Sequence, residues 1–256
     1  IKRTAASITY ELDDVKGRAP GTYMVNTYAN YATVKTKNGW AKDAFGYTTF
    51  QIGTEKEELK VATNCTQCHG NTVMHLNEAN VHPAKFETAP DSCKACHDYD
   101  RPGTGEGYSR TGGTSTNGWA GYGAKPIAAR VHGVHFGAYL NHEDDVYAGN
   151  PNMASEIIFP QDVRNCQKCH DPAKTSPAWK EEPSRLACTA CHDSDRAKAH
   201  TKLMTVPSPN PSDPWGLDAM ESCKVCHGAG REFSPDKVHN IANPYKPPYP
   251  REPEKK

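Results

Sequence analysis

Long apolar runs are missing from this sequence. No stretch approaches the roughly 18 consecutive apolar residues of a membrane-spanning helix, so no helical membrane span is expected. Excess charge is missing as well. Lys and Arg number 30, and so do Asp and Glu, so the polypeptide offers no net field to draw nucleic acid or an anionic membrane. Apolar residues are scarce: the hydrophobic fraction is 36% and mean hydropathy is −0.79. With 20 Gly and 20 Pro besides, side-chain burial is a weak counterweight to the entropy lost on ordering. Either much of the chain is disordered, or something other than side chains supplies the core. No signal peptide is visible and the chain begins at Ile1 rather than Met, so it reads as a processed or trimmed form.

What the sequence does have is ten cysteines in five C-x-x-C pairs: Cys65 and Cys68, Cys93 and Cys96, Cys166 and Cys169, Cys188 and Cys191, Cys223 and Cys226. Histidine follows the second cysteine every time, as His69, His97, His170, His192 and His227. Histidine occupies roughly one position in twenty here, so five coincidences would be far rarer than one in a million. C-x-x-C-H is the attachment signature of c-type haem, with two thioethers from the cysteines and the proximal iron ligand from the histidine. Two sulfurs three residues apart on a helical turn reach one edge of the ring, and the next residue points its imidazole under the iron. Five haem c groups are therefore expected.

Other uses of C-x-x-C fit worse. Structural zinc pairs its knuckles, and five cannot pair evenly. A redox dithiol needs a βαβ context that the sequence lacks. Disulfides within C-x-x-C would close small, strained loops.

Whether each iron is closed decides between carrier and enzyme. Seven histidines remain after the proximal five: His75, His82, His132, His135, His142, His200 and His239. His132 and His135, in "ARVHGVHFG", are spaced i, i+3 on an expected short helix, so both imidazoles leave one face and suit two neighbouring haems. His75 is too near His69 in sequence to pass around the ring, so it suits a different haem. His200 and His239 follow the last two anchors at a distance suited to a return loop. His82, before Pro83, and His142, in acidic "NHEDD", are the spares. Met24, Met74, Met153, Met204 and Met220 read as ordinary apolar filling. Five distal histidines would close every iron and leave an electron-transfer protein, not an enzyme. Axial ligands move haem potential over about 0.8 V, and histidine on both sides points to the lower part of that range.

The segments "CTQCHGNTVMH", "ARVHGVHFG" and "FPQDVRNCQKCHD" resemble the pentahaem modules of the OmcA/MtrC family, outer-membrane decahaem cytochromes of metal-reducing bacteria. Those modules carry CHG-x4-H, an H-x-x-H helix, and a Y/F-P-Q-D-x-R-N-C-x-x-C-H block, in the same order relative to five anchors. The resemblance spans roughly residues 60 to 240. It implies an electron conduit in which His75, His132, His135, His200 and His239 supply the distal ligands. This sequence has five anchors rather than ten, and it lacks the family's long β-rich domains and their disulfide.

The expected fold is mostly irregular, with short α-helices around a closely packed five-haem array and a small β-rich N-terminal segment. Residues 1–60 hold no Cys or His and read as strands in "SITYEL", "TYMVNTYANYATVKT" and "GYTTFQIG". Residues 61–242 form the pentahaem domain. Cys65 to His239 is 175 residues, or 35 per haem, too few for five separate pockets, so the haems must touch. Residues 101–125 hold eight glycines and read as a surface loop over haem edges rather than a phosphate-binding loop. The tail, 243–256, is Pro-rich and extended, either free or strapped onto a neighbour. Secretion is expected, cell-surface more than periplasmic. The partners are other redox proteins, extracellular electron acceptors, or copies of the chain in a filament. Three roles stay open: extracellular conduit or filament subunit, soluble periplasmic carrier, and multihaem reductase with one open iron.

Overall fold

The computed structural model describes residues 2–4, 7–12, 14–18, 20–29, 35–36, 39–40, 44–54, 60–70, 86–95, 127–142, 157–209 and 219–247. Cys96, His75, His82, His97 and the Gly-rich segment 101–125 lie outside them. The chain separates into two compact units, Ile1–Leu59 and Lys60–Lys256.

The first unit is a β-ribbon. Strands Gly21–Ala29 and Ala44–Ile52 pair antiparallel, in register from Gly21↔Ile52 to Ala29↔Ala44. Tyr, Thr and Val suit a pleated surface, and the opposed rings of Tyr23 and Phe50 stack with centroids 5.8 Å apart. "SITYEL" yields less strand than its alternation predicts: only Ile8–Thr9 pairs, with Lys2–Arg3. Tyr10 and Leu12 stay exposed, so the alternating side chains there cover no apolar face.

The second unit is mostly irregular. Its described helices are short: Thr66–His69, Ile127–Phe136, Ala178–Glu181, Arg185–Cys188, Asp195–Leu203, Lys224–His227 and Pro235–Val238. Local signals start several of them. The hydroxyls of Ser184 and Ser194 accept from Ala187 N and Ala197 N, each at 3.3 Å, and Pro235 sits in the first turn after Ser234. Helices of one or two turns do not persist without tertiary support.

Apolar packing supplies little of that support. The buried apolar residues described are Phe86, Cys93, Ile127, Leu140, Ala190 and Ile241, and the cluster at Leu140 gathers Val134, Phe136 and Ile157. Leu203 is 83% exposed and Met220 69%. Polar ties fill the role instead. Asp193 is buried and accepts from Asn141 Nδ2 at 2.7 Å and His142 N at 2.6 Å. Glu221 accepts from Arg185 N at 2.7 Å, and Met204 O takes both Ser222 N and Ser222 Oγ. Each tie joins segments distant in sequence to a region next to an anchor.

Candidate functional site

One helical hydrogen bond closes each fully described C-x-x-C-H motif, from the histidine N–H to the carbonyl of the first cysteine. The distances are 3.1 Å for His69 to Cys65, and 2.9 Å for His170 to Cys166, His192 to Cys188 and His227 to Cys223. A single turn thus carries both sulfurs and the imidazole, as the spacing predicts. The surrounding backbone varies. Thr66–His69 and Lys224–His227 are α-helical, Cys166–Lys168 is a 3-10 turn, and the fourth motif begins as the Arg185–Cys188 helix ends. For the second anchor, Cys93 lies in the 3-10 turn Asp91–Ala95.

The histidines stand in pairs. Each fully described proximal imidazole faces one of the remaining histidines. His69 faces His135 with centroids 5.9 Å apart, and His170 faces His132 at 6.0 Å. His192 faces His239 at 5.9 Å, and His227 faces His200 at 6.3 Å. Two imidazole nitrogens each about 2 Å from one metal, with ring centres about 1.1 Å further out, give centroids roughly 6 Å apart. The four spacings fit a shared metal.

Hydrogen bonds at the ring nitrogens agree. His135 Nδ1 donates to Val131 O at 2.8 Å, His170 Nδ1 to Val61 O at 2.5 Å, and His227 Nδ1 to Phe233 O at 2.9 Å. A carbonyl only accepts, so Nδ1 carries a proton in each, and in the neutral ring the Nε2 lone pair is the one left for a metal. His132 Nδ1 is buried without a hydrogen-bond partner. Burial, followed by His170 and His135, holds His132 down to about 4. Burial likewise lowers His69, His170 and His239. Neutral imidazole is the ligating form.

The thiols point away from dithiol chemistry. Burial, then neighbouring sulfurs, pushes Cys169 up to about 11 and Cys191 up to about 12, and burial pushes Cys188 up to about 11. Reactive dithiols need the opposite shift. Among the described residues, no group of three or more His, Cys, Asp or Glu is arranged to hold a metal as structural zinc requires. Other anchors' sulfurs contribute to these shifts. Cys169 feels Cys65 and Cys68, Cys191 feels Cys166, and Cys188 feels Cys223. Backbone contacts agree, with Thr63 N donating to Cys169 O at 2.7 Å. Asn64, in the left-handed region at φ 65°, reaches Asp171 and Lys174 just past the third motif.

The remaining histidines take the following places. His132 and His135 share the helix Ile127–Phe136 and face two different anchors. His200 and His239 do not return to the anchor just before each. His200 faces His227 and His239 faces His192. The reason for His200 is the helix Asp195–Leu203, which begins just after His192 and carries His200 away from it. His142 binds the Asp195 carboxylate at 3.0 Å. Aromatic neighbours were not anticipated: Phe86 stacks on His69 at 4.0 Å and Trp179 on His170 at 4.6 Å, while Phe159 meets His135 edge-on. A lone aromatic carries no spacing that would mark it in sequence.

Residues 56–240 match the family described as outer membrane cytochrome MtrC/MtrF-like, domains II/IV. No curated protein and no solved structure matches the chain.

Proposed function

The chain belongs to the MtrC/MtrF-like outer membrane cytochrome family, and from that membership we propose that it passes single electrons along a row of five bis-histidine c-type haems. Its class follows from the family: a multihaem c-type electron-transfer cytochrome, outside the cytoplasm, with redox proteins as partners. No described helix is long and apolar enough to cross a membrane.

The observation that carries the finer reading is the set of four histidine pairs near 6 Å, each with one member from a C-x-x-C-H motif. Bound haem supplies a one-electron ferric/ferrous couple. The cysteines would tether it and the paired imidazoles would hold its iron, which would leave no position for a substrate. For the anchor of Cys93 and Cys96, His97 and His75 complete the set. Residues 61–242 make up the haem domain.

The bonds from Thr63 N to Cys169 O and from Arg185 N to Glu221 support neighbouring first and third anchors and neighbouring fourth and fifth anchors, and Cys166, a sulfur neighbour of Cys191, supports third beside fourth. The second anchor adjoins the first, since Cys65 Sγ lies 4.0 Å from Ala89 O and Phe86 stacks on His69. His132 and His135, one turn apart, join the first and third sites. At 35 residues per haem the sites are contiguous, which suits conduction over separate storage. The role is extracellular conduit or filament subunit.

Intact mass spectrometry of the native protein tests the count. The expected mass is the polypeptide plus five covalent haems, and pyridine haemochrome spectra should give the same number. Fewer than five, or bound zinc in place of haem, would contradict the proposal.

A further inference from the structure

Three residues just before the third anchor hold the start of the C-terminal tail. Asn165 takes the Tyr245 backbone from both sides: its Nδ2 donates to Tyr245 O at 3.0 Å, and its Oδ1 accepts from Tyr245 N at 2.7 Å. Asn165 is 8% exposed, so little water competes for these bonds. Arg164 lies over the Tyr245 ring, 3.7 Å from its centroid. The Arg164 fork is fixed from the other side by Asp162, with Nε to Oδ1 at 2.9 Å and Nη2 to Oδ2 at 2.6 Å.

The segment so held begins at a candidate iron ligand. Tyr245 comes six positions after His239, and Ile241 between them is buried. Two fixed points therefore bracket His239: the helix Pro235–Val238 before it and the Asn165 clamp after it.

We propose that Asn165, Arg164 and Tyr245 form a latch that keeps His239 against His192 and so closes the fourth iron from the third anchor. These are positioning residues, since none of them faces the iron itself. The proposal rests on the bis-histidine reading above and adds a cause for one ligand's persistence. The sequence expected the tail to be free or strapped onto a neighbour; its first residues are strapped onto their own chain. The arrangement also couples two adjacent sites, because the loop carrying Cys166 cannot shift without releasing the segment carrying His239.

The test uses the haem-loaded full-length protein and carbon monoxide as the probe of the reduced irons. Asn165→Ala removes both clamp bonds, and each such bond is modest in net strength. Carbon monoxide is expected to bind at one iron, up to one equivalent, where the unaltered protein takes none, with the electron paramagnetic resonance signal of one low-spin iron altered and four unchanged. A chain ending at residue 242 removes Tyr245 and should change the same single iron. Tyr245→Phe keeps both the backbone bonds and the ring over Arg164, so it should behave as the unaltered protein. If Asn165→Ala fails to accumulate, the shortened chain decides alone. Unchanged carbon monoxide binding and unchanged spectra in the shortened chain would overturn the latch. Open irons already present in the unaltered protein would instead overturn the bis-histidine reading.

Discussion

A chain with all ten anchor cysteines replaced by serine is expected to lose ordered structure between residues 60 and 240. Far-ultraviolet circular dichroism of that chain should show little helix, and heating should give no cooperative transition. The described second unit has few buried apolar residues, and its helices are mostly single turns, too short to persist alone. Leu203, Val225 and Met220, near the fourth and fifth anchors, are more than half exposed. Large flat rings would cover such surface. At about 25 cal/mol per Å², five of them would contribute heavily against a net stability of roughly 5–15 kcal/mol. The thioethers also tether distant segments, and a tether restricts the unfolded chain much as a disulfide does. The polar ties at Asp193 and Glu221 do not replace this. Each is worth on the order of 1–3 kcal/mol net, and each joins segments already held beside an anchor. A cooperative melt and native-like helical dichroism in the serine chain would show that the polypeptide has a sufficient core of its own. The Gly21–Ala29 and Ala44–Ile52 ribbon belongs to the other unit, and its fate does not enter the test.

The second large effect concerns the helix Ile127–Phe136. His132→Ala should open the iron held by His170, and His135→Ala should open the one held by His69. Each variant is expected to show one five-coordinate, high-spin ferrous haem and to bind one equivalent of carbon monoxide, with four irons unaffected. The double variant should bind two. The sites differ in their surroundings: His170 lies under Trp179, and His69 under Phe86. The two open haems should therefore be spectroscopically distinct. Five low-spin irons in both single variants would mean that other histidines serve, and His82 would then be the first to examine. His142 is a weaker substitute, since its Nε2 holds Asp195 at 3.0 Å.

The second unit shows what a sequence of this kind discloses. The single-turn geometry of the described C-x-x-C-H motifs was legible because the spacing leaves little freedom: two sulfurs and an imidazole fall on one turn. The His132 and His135 helix was legible for a similar reason, as a three-residue spacing puts both rings on one face. Pairing was not. Which imidazole faces which is set by how segments cross, and His200 and His239 exchange anchors because a helix carries one of them away. The strand content of the first sixty residues was legible in "TYMVNTYANYATVKT" and "GYTTFQIG", where β-formers cluster. It was overstated in "SITYEL", whose alternation has no partner face. The Asn165 clamp on Tyr245 left no periodic signal at all, because its two ends are 80 residues apart.

Spin-state quantitation of the oxidised native protein tests the central claim most directly. Near-infrared magnetic circular dichroism with electron paramagnetic resonance should count five low-spin irons per chain, all with bis-imidazole ligation, and the reduced protein should bind no stoichiometric carbon monoxide. A high-spin ferric signal, or one full equivalent of carbon monoxide bound by the unaltered protein, would contradict a closed five-haem conduit and revive a reductase with an open iron.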